Sequence, residues 1–188
     1  MFRRLAECVN QPVALTRLAN LMASVGTKVS KNTIISYANY AKDAFLILPM
    51  KNWADNFTMR ETNQKYYFVD NGIIGLLTTD CLTSQLENMV AVALLRKYGL
   101  NDSVFFYNYN VEVDFVVPEK ALAVQVCYTL GEDGSETFMR ETQALIKLNK
   151  RLSFDNLMVL TYNDDFRQIE VGNDCITIMP VWKWMMEM

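Results

Sequence analysis

The sequence predicts a mixed α+β chain built in two unlike parts, and three observations carry that reading. Residues 1–78 run through three short helical segments and then two strand-like stretches, the order of a helix-turn-helix closed by a wing. Residues 79–188 run helix, strand, strand, strand, helix, strand. The charge also changes sign along the chain: residues 1–60 carry eight Lys and Arg against three acids, a net of +5, so residues 61–188 carry −8. Only the first part is therefore suited to a polyanionic partner.

Phe2 to Val9 reads as a helix with no capping residue ahead of it, which points to a chain cut from a longer protein. Pro12 breaks the run. Ala14 to Ala23 forms a second helix, with Leu15, Leu18, Ala19 and Met22 on one stripe. Ser24 to Thr27 is a turn, and Ser30 caps a third helix in which Ile34, Tyr37, Ala38, Ala41 and Phe45 keep helical spacing. Ala44 to Pro49 and Lys65 to Val69 read as strands, joined by a polar connection over 51–64. In a DNA reader of this type the third helix enters the major groove, so Lys28, Lys31, Asn32 and Thr33 near its start are the candidate contacts. The same packing also occurs as a plain helical core or as a protein-binding module.

Asp70-Asn71-Gly72 is a turn, followed by a short helical piece from Ile73 to Leu77. The strongest helix runs from Leu82 to Tyr98. Glu87 lies on it among Val90, Ala91 and Leu94, so its carboxylate faces an apolar surface and needs a partner or a metal. The alternative is a capping box with Ser84. Val104 to Asn108 is a strand that leads into a hairpin, Val111 to Val117 and Ala121 to Tyr128, turning at Pro118 to Lys120. Alternation puts Glu112 and Asp114 on one face of the first strand, and Gln125 and Cys127 on one face of the second. If those faces coincide, Asp114 and Gln125 approach each other; otherwise they are the polar side of a half-buried sheet. Glu132 to Lys150 is a second long helix. Asn156 to Tyr162 is apolar nearly throughout and therefore a central strand. Gln168 to Val171 and Cys175 to Met179 are further strands, and Pro180 opens a terminal helix carrying Trp182, Trp184, Met185 and Met186.

Composition excludes several classes. With 51% hydrophobic and 21% charged residues the 188-residue chain is an ordinary globular one. It has no bilayer-length apolar run and no signal peptide, and its four cysteines are scattered without paired spacing, which suits a cytoplasmic protein. There is no histidine, so Ser-His-Asp and Cys-His catalysis and histidine metal sites are ruled out. No phosphate-cradling glycine loop is present either, so the chain is not a nucleotide hydrolase by itself.

The order of the second part, with Glu87 on its helix, Asp114 on its second strand and Gln125 and Cys127 on its third, resembles the PD-(D/E)XK nuclease superfamily. The whole chain resembles, more narrowly, a family of unknown function that forms the C-terminal region of many prokaryotic AAA+ ATPases. The carrying segments are SKNTIISYANYAKDAFLILPM, KYYFVDNGIIGLL with Asp70 and Gly72, LENMVAVALLRKYG with Glu87, VEVDFVV with Asp114, and VQVCYTL. The resemblance implies a winged helix-turn-helix over 1–78 and a restriction-endonuclease-like αβββαβ domain over 79–188. It implies a Mg²⁺ site at Glu87, Asp114 and Gln125, because a hard cation takes oxygen ligands. A lysine two residues past the last ligand would position the attacking water.

The chain departs from that pattern where the chemistry lies. Cys127 stands at the lysine position and Gln125 at the second acid. Lys147 on the following helix is the candidate for a relocated lysine, and Lys120 at the turn a poorer one. The reading favoured is a binding module: the C-terminal region of an AAA+ ATPase, binding DNA or a protein through its winged helix, with an inactive nuclease-like domain and ATP held only by the parent's own N-terminal ATPase domain. The alternative is an active Mg²⁺-dependent nuclease using Glu87, Asp114 and Gln125. A third reading makes the second part a dimerising or ATPase-regulating body that uses its Trp/Met-rich end, with no membrane involved.

Overall fold

In the computed structural model, which describes residues 1–24, 26, 29–100 and 102–188, the chain divides into two units, Met1–Val92 and Ala93–Met188. The first holds α1 (Phe2–Ala6), β1 (Val13–Ala14), α2 (Leu15–Ser24), α3 (Lys31–Asp43), β2 (Ile47–Met50), α4 (Phe57–Thr62), β3 (Asn63–Phe68), α5 (Asn71–Leu77) and most of α6 (Leu82–Tyr98). Its three strands form an antiparallel sheet in the order β1-β3-β2. Leu5, Leu18, Ile34, Ile47, Phe68 and Ile74 are buried and make the core. The helices thus turn in the stripes that their 3.6-residue period marks out.

Local chemistry sets the ends of these elements. Ser30 caps α3, its hydroxyl accepting the Thr33 N–H at 3.1 Å. The helix stops where Phe45 takes a left-handed conformation, φ 55°. There the Leu46 N–H reaches back to the Ala41 carbonyl at 2.8 Å and satisfies one of the last helical acceptors. The following strand therefore begins at Ile47, later than the expected Ala44. The connection over 51–64 holds a helix of its own, α4. Asn56 caps it by accepting the Met59 N–H at 3.0 Å. Arg60 braces it by donating to the carbonyls of Asp55 at 2.9 Å and Trp53 at 2.7 Å. The expected turn at 70–72 is the cap of α5: Asp70 accepts the Gly72 N–H at 2.6 Å, and a Cβ at position 72 would lie 2.8 Å from the Asp70 carboxylate.

The second unit holds β4 (Phe105–Asn108), β5 (Glu112–Val117), β6 (Leu122–Cys127), α7 (Glu136–Leu152), β7 (Asn156–Thr161), β8 (Arg167–Val171), β9 (Asp174–Pro180) and α8 (Val181–Glu187). They form one six-stranded mixed sheet in the order β4-β5-β6-β7-β9-β8. β4, β5 and β6 are antiparallel, β6, β7 and β9 run parallel, and β8 returns antiparallel along β9. β7 sits between two parallel neighbours with Val159 and Leu160 fully buried, as its unbroken apolar run requires. The hairpin turns through a single 3₁₀ turn at Pro118–Lys120, with Ala121 left-handed at φ 43°. α7 starts at Glu136 because Gly131 and Gly134, at φ 81° and 88°, hold the preceding segment in turns, and Ser135 supplies the cap. The architecture is thus mixed α+β, with one three-stranded antiparallel and one six-stranded mixed sheet.

Candidate functional site

Asp114 and Gln125 do meet, at the point where β5 and β6 part. The paired register runs Val117↔Leu122, Val116↔Ala123 and Phe115↔Val124 and then stops. Beyond it the two side chains take the place of ladder partners. The Asp114 N–H donates to Gln125 Oε1 at 2.8 Å, and the Val126 N–H donates to Asp114 Oδ2 at 2.9 Å. The Gln125 amide nitrogen donates to Glu141 Oε2 on α7 at 2.8 Å and to the Glu112 carbonyl at 3.4 Å. Only one orientation of the amide serves all three partners, since its oxygen must accept from an N–H and its nitrogen must face two acceptors. Glu141 in turn takes Arg140 on its other oxygen, from Nη2 at 2.6 Å and Nε at 2.9 Å.

The electrostatics of this cluster are those of a crowded acidic pocket. Burial pushes the Glu141 carboxyl above the usual carboxylate range, against the lowering effect of its Arg140 bond, and the Asp114 charge raises it further. Burial likewise pushes the Cys127 thiol up to about 12, with Glu141, Asp164 and Asp114 adding to the effect. Cys127 is therefore a neutral thiol at ordinary pH, neither a nucleophile nor a cation. Gln125 offers a metal only a neutral oxygen that already accepts from the Asp114 N–H, and its NH₂ faces Glu141, so it is a poorer Mg²⁺ ligand than a carboxylate would be. Among the described residues no three His, Cys, Asp or Glu side chains are grouped to hold a metal.

The other expected site residues are Glu87, in the first unit, and Lys147 and Lys120, in the second. Glu87 lies in the first unit, where its Oε1 accepts from Tyr67 Oη at 2.8 Å and Lys65 Nζ at 3.2 Å. Lys65 is fully buried and Glu87 is 5% exposed, so the buried carboxylate has a cationic partner. The capping box fails because α6 starts at Leu82, which makes Glu87 its sixth residue. Lys147 is exposed, six residues along α7 from Glu141 and on another side of the helix. Lys120 is exposed at the hairpin turn. Sequence reasoning missed Glu141 and Arg140. The signal was present: Phe138, Glu141, Thr142, Leu145 and Leu148 share the buried stripe of α7, and Glu141 is the acid in it.

In the first unit α3 buries Ile34, Ala38 and Ala41 and turns outward Lys31, Asn32, Ser36, Tyr37, Asn39, Tyr40 and Lys42, with the acid Asp43 exposed at its last position. Thr33 is half-buried, with its hydroxyl bonded to the Ser30 hydroxyl at 2.8 Å, so it belongs to the cap. Lys28 lies outside the described residues. From Cys8 to Lys42 the chain has four cations, Arg17, Lys28, Lys31 and Lys42, and no acid.

Residues 1–86 match the family model of a domain of unknown function, DUF8612. Two relatives of similar sequence are described as uncharacterized proteins. MJ1544 of Methanocaldococcus jannaschii is 34% identical over 185 residues, which is 92% of this chain and 40% of the relative. A protein of Haemophilus influenzae is 31% identical over 140 residues, 71% of this chain and 34% of the relative. The chain thus spans well under half the length of either. No solved structure gives a significant match.

The DUF8612 match takes in α1 to α5 and the segment Lys65 to Gly72, whose residues now have physical reasons. Lys65 answers Glu87, and Phe68 fills the core. Asp70 caps α5, and Gly72 leaves room for that cap. Asn88 ties α6 to the same strand: its Oδ1 accepts the Phe68 N–H at 2.7 Å and its Nδ2 donates to the Phe68 carbonyl at 2.8 Å. No helix among the described residues is long and apolar enough to cross a membrane.

Proposed function

We propose that the chain is a C-terminal region of a larger AAA+-type ATPase whose winged helix binds duplex DNA through α3, while the nuclease-like half, opened by α6, serves as a body without hydrolytic chemistry. The observation that carries the DNA reading is the acid-free stretch from Cys8 to Lys42, which falls on α2 and α3. Phosphate neutralisation by Lys and Arg supplies most non-specific DNA affinity, and an acid within the footprint would oppose it. The exposed side of α3 adds Asn32, Ser36, Asn39 and two tyrosines, groups that bond to base edges or phosphates. The order β1-β3-β2 behind the helices agrees with a winged helix, and the greater length of the relatives accommodates an ATPase domain.

The test is fluorescence anisotropy with a labelled duplex at low salt. The native chain is expected to bind at micromolar or tighter Kd, and Lys31→Ala with Tyr40→Ala to weaken it roughly tenfold with no change in circular dichroism. Absence of binding at low salt, or equal binding by the double variant, rejects the assignment to α3. Inactivity of the second half follows from the Gln125 amide and the Cys127 thiol standing where a carboxylate and an ammonium would be needed. Plasmid incubated with the chain and Mg²⁺ or Mn²⁺ is expected to stay supercoiled. Nicking that disappears in Asp114→Ala would instead establish the nuclease.

A further inference from the structure

The C-terminal ends of β6, β7 and β9 come together in the second unit through the parallel registers Cys127↔Thr161 and Thr161↔Pro180. Tyr128 follows β6 and Tyr162 follows β7, and β9 leads through Val181 to Trp182. Tyr128 stacks on Tyr162 with ring centroids 4.7 Å apart and planes 5° from parallel. Tyr162 is 53% exposed, Phe166 49% and Trp182 54%. α8 buries Val181 and Trp184 and turns Trp182, Met185 and Met186 outward at the i, i+3, i+4 spacing of one helical stripe. The two loops joined to this surface are tied together by the Leu130 N–H donating to Asp164 Oδ2 at 2.8 Å, and by Arg167 bridging to Asp133 at 3.0 Å.

Those loops are acidic. Glu132, Asp133, Asp164 and Asp165 lie on them, and the second unit as a whole has nine Lys and Arg against fourteen acids. The surface already takes this chain's own cations in the two ways that aromatic and acidic groups allow. Lys183 Nζ sits 4.2 Å from the Phe166 ring centre, and Arg167 pairs with Asp133 while lying 5.8 Å from the Phe138 ring. Exposed aromatics and flexible methionines form adaptable protein-binding surfaces, and the acids around them fix the charge of what can approach. A nucleic acid is repelled here by the same acids.

We propose that this face docks a basic, apolar-flanked segment of a partner protein, with Lys or Arg side chains over Tyr162 and Trp182, its apolar residues on Met185 and Met186, and its charge met by Glu132 and Asp165. The partner is a polypeptide recognised by cation–π and carboxylate contacts together, so neither charge nor apolarity alone suffices.

The probe is a fluorescein-labelled synthetic peptide of alternating Arg and Leu, compared with its Glu-for-Arg and Ser-for-Leu counterparts, against the full chain. The Arg/Leu peptide is expected to bind, both counterparts to fail, and Trp182→Ala and Asp165→Asn each to weaken binding about tenfold. Both substituted side chains are exposed, so unchanged circular dichroism and Tm verify folding. The proposal is overturned by absence of binding at high micromolar chain, by equal binding of the Ser-for-Leu peptide, or by indifference to both substitutions. It is overturned equally if sedimentation shows self-association that Trp182→Ala abolishes, because the occupant is then a second copy.

Discussion

At Gln125 one atom decides what the cluster can be. An amide both accepts from the Asp114 N–H and donates to Glu141; a carboxylate cannot donate. Gln125→Glu therefore sets two buried carboxylates against each other and is expected to cost about 3 kcal/mol in urea unfolding. Adding Glu141→Gln restores a donor and should recover most of that loss; a double variant no better than the single one would show that the two residues are uncoupled. Protonation follows the same geometry. The Glu141 pKa is raised on folding, so its contribution to stability is complete below the unfolded value near 4.5 and declines as pH rises through the folded one. The Cys127 thiol is raised from 9.0 to about 12, so its contribution holds below pH 9 and is lost between those values. In the native state at pH 8, iodoacetamide should modify exposed Cys175 first and buried Cys127 last. Mapping the adducts by mass spectrometry checks the order, and early labelling of Cys127 would contradict its assignment as an inert thiol.

Among elements, the longer helices were legible from their apolar stripes, and the strands of the larger sheet from alternation or, in β7, from an unbroken apolar run; the six-residue α4 inside the polar connection over 51–64 was not. What escaped was either too short or too distant in sequence. β1 has two residues, less than one period of alternation, and forms only because Gln64 and Asn63 present an edge to it. Lys65 and Glu87 are separated by 22 positions, and no local rule joins a lysine in a strand to a glutamate in a later helix. At the candidate site, alternation brought Asp114 beside Gln125, but their third member, Glu141, was missed although it lies in the apolar stripe of α7, because no local rule pairs a helical acid with an amide sixteen positions earlier. Two outcomes at this scale can be measured. Lys65→Met leaves the Glu87 carboxylate buried without its ammonium and should cost about 3 kcal/mol, whereas Lys65→Met with Glu87→Gln should cost less, judged by chemical denaturation. Phe45, 59% exposed and left-handed at the end of α3, carries a steric penalty that glycine lacks. Phe45→Gly should raise stability by about 0.5–1 kcal/mol.

For the molecule as a whole, net charge conceals its distribution. The chain carries −3 at pH 7, yet the first unit has nine Lys and Arg against seven acids while the second is acidic. Several of the first unit's cations are already engaged: Arg3 and Arg4 with Glu7, Lys51 with Glu61, and buried Lys65 with Glu87. Lys31 and Lys42 are exposed on α3 and Arg17 is exposed on α2, within the acid-free stretch. DNA binding through this stretch would be electrostatic and local, carried by few phosphate contacts on a chain that is anionic overall. Log Kobs should then fall linearly with log salt, with a shallow slope of about −0.9 for each phosphate neutralised. Lys31→Ala should lower the magnitude of that slope by about 1, and Arg3→Ala should leave it unchanged because Arg3 is paired outside the stretch. Anisotropy titrations of one labelled duplex across a salt series measure both. If Lys31→Ala and Arg3→Ala moved the slope alike, the affinity would belong to the general surface of the unit, and α3 would lose its assigned part in DNA contact.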